Sequence, residues 1–422
     1  MMKKKIFIGL ENIASQINDL KKGFESIGYN TLTAACNTTS TIVNNKTGID
    51  LFYSDYSSPR FWFKGVRPRW LQKKLQDITK KNQRSEIMKR AVEECDIFFF
   101  VWTTFKDNHS DLAYLKKLGK KVIVLFVGDD IYFHPAGKQD FASHGLHPVV
   151  PYKMHSKELE TNRLTVLNNR LQYIREAEKH ADLIFTEPAL AQLMLRPYYR
   201  FRHIVPLEQI TFNPRQRKEN PLIVFIPSDD EYKGSIFVER AMQQLQEEGV
   251  KFDLKIIRNL PYKEALDTYS EADILIGELF YPGGGKQQRE ALAAGTVVVT
   301  NFDPRYPVGL PSETPFIHAN HENIYQVLVD TISNFEKRSE LVERGRKFVE
   351  TYNSEKVVCE RMIDLLEGRS KEEIIKPVFL RNNYLPENSQ ESDLLSFWNG
   401  KVAGCEWYKN TVSPGIRARI KF

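Results

Sequence analysis

Apolar strands alternate with amphipathic helices twice along the chain, and one polar, proline-bracketed segment separates the two series. That pattern predicts an α/β protein of two Rossmann-like domains facing across a cleft, with a C-terminal extension. Length agrees: 422 residues suit two or three domains at roughly 100–200 residues each. Hydrophobic residues make up 41% and charged residues 27%, enough for a core and too apolar for a disordered chain.

Lys5–Leu10 reads as a buried strand. Ile13, Ile17, Leu20, Phe24 and Ile27 then recur at helical spacing, Gly28 stops the helix, and Tyr29–Ala34 resumes strand character. Ile97–Trp102 is a fully apolar strand, Asp111–Lys117 a helix and Lys121–Val127 another buried strand. Asn168–His180 is a helix, followed by the strand Asp182–Thr186. Between Phe212 and Pro221 the pattern breaks into polar residues. The second series begins with the strand Leu222–Pro227 and the helix Ser235–Glu248. Phe252–Arg258, Asp273–Gly277 and Val297–Asn301 are strands, with helices Tyr262–Ser270 and Lys286–Ala294 between them. Helices fill His321–Leu366, and no clear repeat follows. The expected domains are therefore 1–210, a linker 211–221, a second domain 222–366, and an extension 367–422 that returns to the first.

Several classes are excluded. Cys36, Cys95, Cys359 and Cys405 are far apart and form no CxxC pair, so neither a disulfide framework nor a zinc cluster is indicated. The longest purely apolar run, Val122–Val127, is far short of the roughly 20 residues a membrane span needs. The apolar stretch after the initial lysines ends at Leu10, which argues against a secretory signal. A reducing, cytoplasmic setting is the expectation.

Two strand–loop–helix junctions carry candidate chemistry. In Glu278-Leu-Phe-Tyr-Pro-Gly283-Gly284-Gly285-Lys286-Gln-Gln-Arg-Glu290, three glycines precede a helix that begins with lysine. Glycines let backbone N–H groups approach an anion, and a helix N-terminus favours negative charge. Glu290 could accept hydrogen bonds from sugar hydroxyls. A plain glycine-rich turn is the alternative. In Ser228-Asp229-Asp230-Glu231-Tyr232-Lys233-Gly234 a lysine again ends a strand–helix loop. Two such lysines suit a diphosphate; a solvated Lys-Gly turn is the alternative. Asp129-Asp130 and Asp229-Asp230 read as loop-flanking residues rather than a metal pair, and no metal site is expected.

Lys233-Gly234, the helix Phe237–Leu245 and Glu290-Ala-Leu-Ala-Ala-Gly295-Thr-Val-Val-Val299 together resemble the nucleotide-sugar domain of retaining glycosyltransferases of family 4, which have the GT-B fold. Gly345-Arg-Lys-Phe-Val-Glu350 resembles a helix near the end of that domain, and the stretch from Leu115 to Asp130 is similar to the family's strand ending in His-Gly-x-Asp. The resemblance implies a metal-independent, retaining transfer of a sugar from a UDP- or GDP-linked donor, with no further cofactor. It implies that Glu290 holds the donor ribose and Lys233 the diphosphate. Gly283, Gly284 and Gly285 would bring backbone donors to the phosphates or sugar, and Gly128 and Asp130 would line the acceptor side. Three positions depart from the pattern. Pro282 stands where the family often has Glu, Ser228 where it has Arg, and Val127 where it has His. Lys286 is the candidate substitute for the arginine, and Glu278 lies four residues early for the glutamate. Asp130, His134 and Glu278 are the candidates for catalytic contact, His134 toward the acceptor.

Residues 60–90 hold 11 Lys/Arg against two acids, an excess larger than the whole chain's +6. Arg60, Trp62, Lys64, Arg67, Arg69 and Trp70 mix cations with aromatic rings, as a contact with an anionic membrane or lipid-linked acceptor requires. A solvated basic helix is the alternative. No nucleic-acid-binding motif accompanies the patch, so nucleic acid is not an expected partner. The expected activity is a hexosyl transfer to a glycan or lipid-linked acceptor in cell-surface polysaccharide synthesis, peripheral on the inner membrane face. A nucleotide-sugar epimerase of the same fold and a degenerate glycan-binding relative are the alternatives.

Overall fold

The computed structural model describes residues 4–37, 48–54, 69–128, 130–133, 136, 137, 140, 141, 157–214, 216–302, 306, 313–371 and 374–377. The chain divides into two compact units. Unit 1 comprises 1–131, 169–186 and 359–374; unit 2 comprises 132–168, 187–358 and 375–422.

Unit 1 is a parallel sheet with helices. Its strands are β1 (Lys5–Leu10), β2 (Asn30–Asn37), β3 (Leu51–Ser54), β4 (Ile97–Val101), β5 (Lys121–Leu125) and β6 (Leu183–Thr186). They lie in the order β3-β2-β1-β4-β5-β6, all pairs parallel. Helices α1 (Gln16–Ser26), α2 (Arg69–Glu94), α3 (Asp111–Lys117) and α4 (Lys157–His180) punctuate them. The central strand β4, Ile-Phe-Phe-Phe-Val, is buried throughout, as a parallel strand covered on both faces must be. Alternate side chains serve opposite faces. Phe98 and Phe100 join Phe7 and Phe105 in a ring cluster with centroids 4.9–6.4 Å apart. Phe99 points the other way, 6.0 Å from Phe24 of α1. Cys359–Ile374 belong to this unit, and the Cys359 thiol faces the Leu20 carbonyl at 3.8 Å.

In unit 2, β7 (Tyr199–Arg200) precedes β8 (Leu222–Phe225), β9 (Asp253–Ile256), β10 (Ile274–Ile276), β11 (Val297–Thr300) and β12 (Ile317–His318). The sheet order β12-β11-β10-β8-β9 is parallel throughout. Its helices are the single turn α5 (Asp230–Lys233), then α6 (Ser235–Glu247), α7 (Tyr262–Glu271), α8 (Lys286–Ala294), α9 (Ile324–Ser333) and α10 (Phe335–Tyr352), and α11 (Glu355–Leu366) starts in unit 2 and belongs to unit 1 from Cys359 onward. Strand alternation again builds two layers. Ile223, Phe225, Ile274, Ile276 and Val299 pack with α6 and α9 through Val238, Met242, Leu245, Ile324 and Leu328. Leu222, Val224, Leu275 and Val298 pack with α7, α8 and α10 through Leu266, Tyr269, Leu292 and Phe348.

The segment read as a linker is tied to unit 2. Asn213 N–H donates to the Ala294 carbonyl at 2.9 Å, its side-chain amide to Ser270 at 2.8 Å, and Arg217 N–H to the Asp273 carboxylate at 2.6 Å. Residues 187–210, assigned by sequence to the first domain, belong to unit 2. There Tyr198 and Ile375 exchange backbone hydrogen bonds at 3.1 and 2.8 Å. Among the described residues, no helix is long and apolar enough to cross a membrane.

Candidate functional site

In an open parallel sheet, a crevice opens at the carboxyl ends of two adjacent strands whose connections leave in opposite directions. In unit 2 those strands are β8 and β10, since β8 connects outward to β9 while β10 continues to β11 on the other side. The two junctions singled out in the sequence are the loops that leave these strands.

The loop after β8 runs into α5. Ser228 is exposed in it. Asp229 accepts the Glu231 N–H at 3.0 Å, and Asp230 accepts from Ser235 at 2.7 Å and Arg258 Nε at 3.0 Å. Both aspartates hold the turn. Lys233 is buried, with its Nζ 2.7 Å from Glu278 Oε1. Glu278 opens the loop after β10, so the two loops meet through an ion pair.

That second loop ends in Gly283 and Gly284, with φ of +130° and +63°, where a side chain would strain the backbone. Gly285 caps α8 in an extended conformation. Lys286 and Glu290 are one turn apart on α8 and both buried, 3.6 Å apart. Tyr262, the first residue of α7, donates its hydroxyl to Glu290 Oε1 at 2.6 Å. Its ring lies 5.3 Å from Lys286 Nζ. The sequence reading contained no role for Tyr262, because 28 residues separate it from Glu290.

A second buried group lies beside this loop. Arg200 pairs with Glu187 at 2.7 Å, and His203 Nε2 is 3.4 Å from the same carboxylate. A β-carbon on Gly283 would come within 4.0 Å of both Arg200 and Glu187. Arg289, 1% exposed, turns its guanidinium onto the loop's own carbonyls. Burial pushes the Glu187 carboxyl up, but Arg200 and His203 outweigh it and hold it below its usual range. Burial also holds the His203 imidazole below its usual value. Burial, with Arg200 adding, lowers Arg289 to about 10. Arg289 shares its helix with Lys286, Gln287, Gln288 and Glu290, so no local signal sets it apart. Glu187, Arg200 and His203 had none.

Gln288 completes the loop's rear wall. It is 1% exposed, and its amide has no hydrogen-bond partner among the described residues. Gln287, beside it, ties α8 to the β8 loop through the Ile226 carbonyl at 3.1 Å.

The remaining candidates are placed elsewhere. Asp130 belongs to unit 1 and is buried. Its carboxylate accepts the Gly128 N–H at 2.7 Å and the Val127 N–H at 3.2 Å, closing the turn after β5. His134, Arg60, Trp62, Lys64 and Arg67 lie outside the described residues, and Arg69 and Trp70 open α2 without described side chains. Cys36, Cys95 and Cys359 are buried. Among the described residues, no group of three potential metal ligands converges.

A parallel α/β chain with two strand–loop–helix junctions at the sheet's switch point defines a class of fold, and solved structures specify it as GT-B. Sucrose-phosphate synthase from Thermosynechococcus elongatus superposes with a TM-score of 0.56 at 12% identity, over 87% of this chain and 99% of that one. HepE from Anabaena, in complex with UDP and glucose, gives 0.52 at 10% identity, over 87% and 100%. The catalytic domain of starch synthase IV from Arabidopsis thaliana, bound to ADP and acarbose, gives 0.50 at 10% identity, over 86% and 99%. No family model matches the chain. No curated protein matches it either. At such identities the likeness shows the fold alone.

Proposed function

We propose that this chain is a glycosyltransferase that moves a sugar from a nucleotide diphosphate donor to a glycan or lipid-linked acceptor. The observation that carries the reading is the convergence of Lys233, Lys286, the Gly283–Gly285 loop and Glu290 around the switch point of one parallel sheet. GT-B structures with UDP or ADP bound support a nucleotide donor. Fold does not fix function, so the weight rests on the site.

Breaking the bond between the sugar and the diphosphate leaves negative charge on the departing phosphate. Backbone N–H groups of the loop, the α8 N-terminus and the two lysine ammonium groups are fixed positive charge and partial charge around that position. They do this work without a metal ion. Tyr262 holds Glu290 by one oxygen, which orients the carboxylate to accept ribose hydroxyls with its remaining lone pairs. Retention of the anomeric configuration, a UDP- or GDP-linked hexose donor and an acceptor in cell-surface polysaccharide synthesis complete the reading. The membrane-side contact falls on the basic segment that α2 continues, where Lys74, Lys81, Lys89 and Arg90 are exposed.

A thermal-shift screen with UDP, GDP, ADP and CMP tests the reading, because a ligand bound only by the native state raises the apparent Tm. A rise with one nucleoside diphosphate, reduced in Glu290→Ala, is the expected outcome. No rise with any nucleotide would overturn it.

A further inference from the structure

Gln288 is the third residue of α8, and Gly285 is the residue that caps the helix. In a capping box, a Glu or Gln side chain at that third position reaches back and accepts the N–H of the capping residue. Both partners of such a bond are present here, and the bond is not made. Gln288 Oε1 lies 3.1 Å from the place a Gly285 β-carbon would occupy. Among the described residues, neither Oε1 nor Nε2 of Gln288 has a hydrogen-bond partner, and the Gly285 N–H has no acceptor.

Solvent does not make up the difference, because Gln288 is 1% exposed and both atoms of its amide are buried. A buried amide that bonds to nothing gives up its hydration without return, and folded chains seldom keep one. A methionine at 288 would fill the same space without that cost. The other anchor of the loop repeats the observation. Asn301 takes the Gly283 N–H on its carbonyl at 3.1 Å, donates its own N–H to Glu278 at 2.7 Å and its side-chain amide to Leu279 at 3.2 Å, while its Oδ1 is buried and, among the described residues, unpaired. The loop is thus held between two amides that its present position leaves partly unsatisfied. Its three glycines are the stretch of backbone with the least hindrance to turning a peptide plane.

We propose that Gln288 is a positioning residue for the donor: its amide is paired only when the diphosphate settles on the loop, and Oε1 then takes the Gly285 N–H, closing the capping box and fixing the end of α8 that carries Lys286 and Glu290. The inference deepens the donor reading above and rests on it. Closing the box uses the Gly285 N–H and leaves those of Lys286 and Gln287 free for the anion, since the first N–H groups of a helix have no partner within it. The unpaired amide burdens the ligand-free chain alone, so the bond recovered on binding adds to the affinity. Gln288 itself never touches the ligand.

The test reads Gln288→Met, an apolar replacement of similar length, in two ways: Tm without ligand, and calorimetric affinity for the tightest-binding of UDP, GDP and ADP. The expected result is a ligand-free Tm about 2–4 °C above that of wild type, because an unsatisfied group is gone, together with a diphosphate affinity lowered about tenfold, because the bond made on binding is gone. A merely structural glutamine moves the first reading downward and leaves the second alone. A ligand-free Tm no higher than wild type's shows the amide already paired, by water or otherwise, and overturns the inference. An affinity equal to or above wild type's overturns it as well, and both outcomes leave the donor reading standing. Wild type that binds none of the three diphosphates overturns both. The affinity is read on folded protein alone, and Gln288→Leu, judged by the same two readings, replaces the methionine variant should that fail to fold.

Discussion

Lys233 and Glu278 form an ion pair at 2.7 Å, with Glu278 a quarter exposed, and under the proposed function a donor diphosphate would enter it. Removing the carboxylate frees the ammonium and removes a charge that repels phosphate. Glu278→Gln is expected to tighten binding of the preferred nucleoside diphosphate about fivefold, the equivalent of ~1 kcal/mol for a partly exposed pair. Weaker binding in a calorimetric titration would show instead that Glu278 contacts the donor. A different residue governs acid stability in unit 1. His109 is buried, its Nδ1 3.0 Å from Thr104 Oγ1 and its ring stacked 4.0 Å from that of Tyr173. Burial pushes its imidazole down to about 4, with Arg84 adding and Asp107 opposing. The folded chain keeps it neutral while the unfolded chain protonates it below its ordinary value. Stability from this group is therefore full above about pH 6.5 and lost as pH falls toward 4, by on the order of 3 kcal/mol. Urea unfolding at neutral and acidic pH should show a smaller loss for His109→Asn than for wild type. Equal losses would rule the group out.

At the scale of elements, the candidate site depends on how closely β10, β11 and α8 approach. Gly277 donates its N–H to Val299 at 2.8 Å, and a β-carbon there would sit 2.6 Å from Thr300 Oγ1 and 2.7 Å from Gln288 Nε2. Gly277→Ala must push α8 outward or displace Gln288, and overpacking of this kind costs about 1–3 kcal/mol. A lowered Tm together with weakened diphosphate binding is expected, since α8 carries Lys286 and Glu290. A full-affinity variant would show that the loop tolerates the shift. The elements themselves were largely legible in the sequence. Continuous apolar runs such as Ile97–Val101 and Val297–Thr300 identify buried parallel strands because both sheet faces are covered. β12 was not legible, being two residues long, too short for any periodicity to register, and β3 was not read either. The polar residues of 211–221 look solvated in the sequence, and in the structure Asn213 and Arg217 satisfy backbone and carboxylate groups of unit 2.

For the whole molecule, the charge is concentrated in the 60–90 segment rather than spread over the surface. If that segment meets an anionic membrane, the protein should co-sediment with vesicles containing phosphatidylglycerol and not with pure phosphatidylcholine. Each surface cation near such a membrane contributes about 1 kcal/mol. Lys74→Glu combined with Lys89→Glu should therefore release it, and equal sedimentation of both proteins would remove α2 from the contact. The two α/β series and both candidate loops were readable from local sequence alone. Strand runs, helix periods and the Lys233-Gly234 and Gly283–Glu290 motifs each lie within a few turns of chain. The partners of those motifs were not. Tyr262 reaches Glu290, Lys233 reaches Glu278, and Glu187 and Arg200 flank the loop that Arg289 holds. These residues are tens of positions apart and come together only because parallel strands deliver their loops to one edge of the sheet. No spacing along the chain records that convergence; the sheet order β12-β11-β10-β8-β9 decides it.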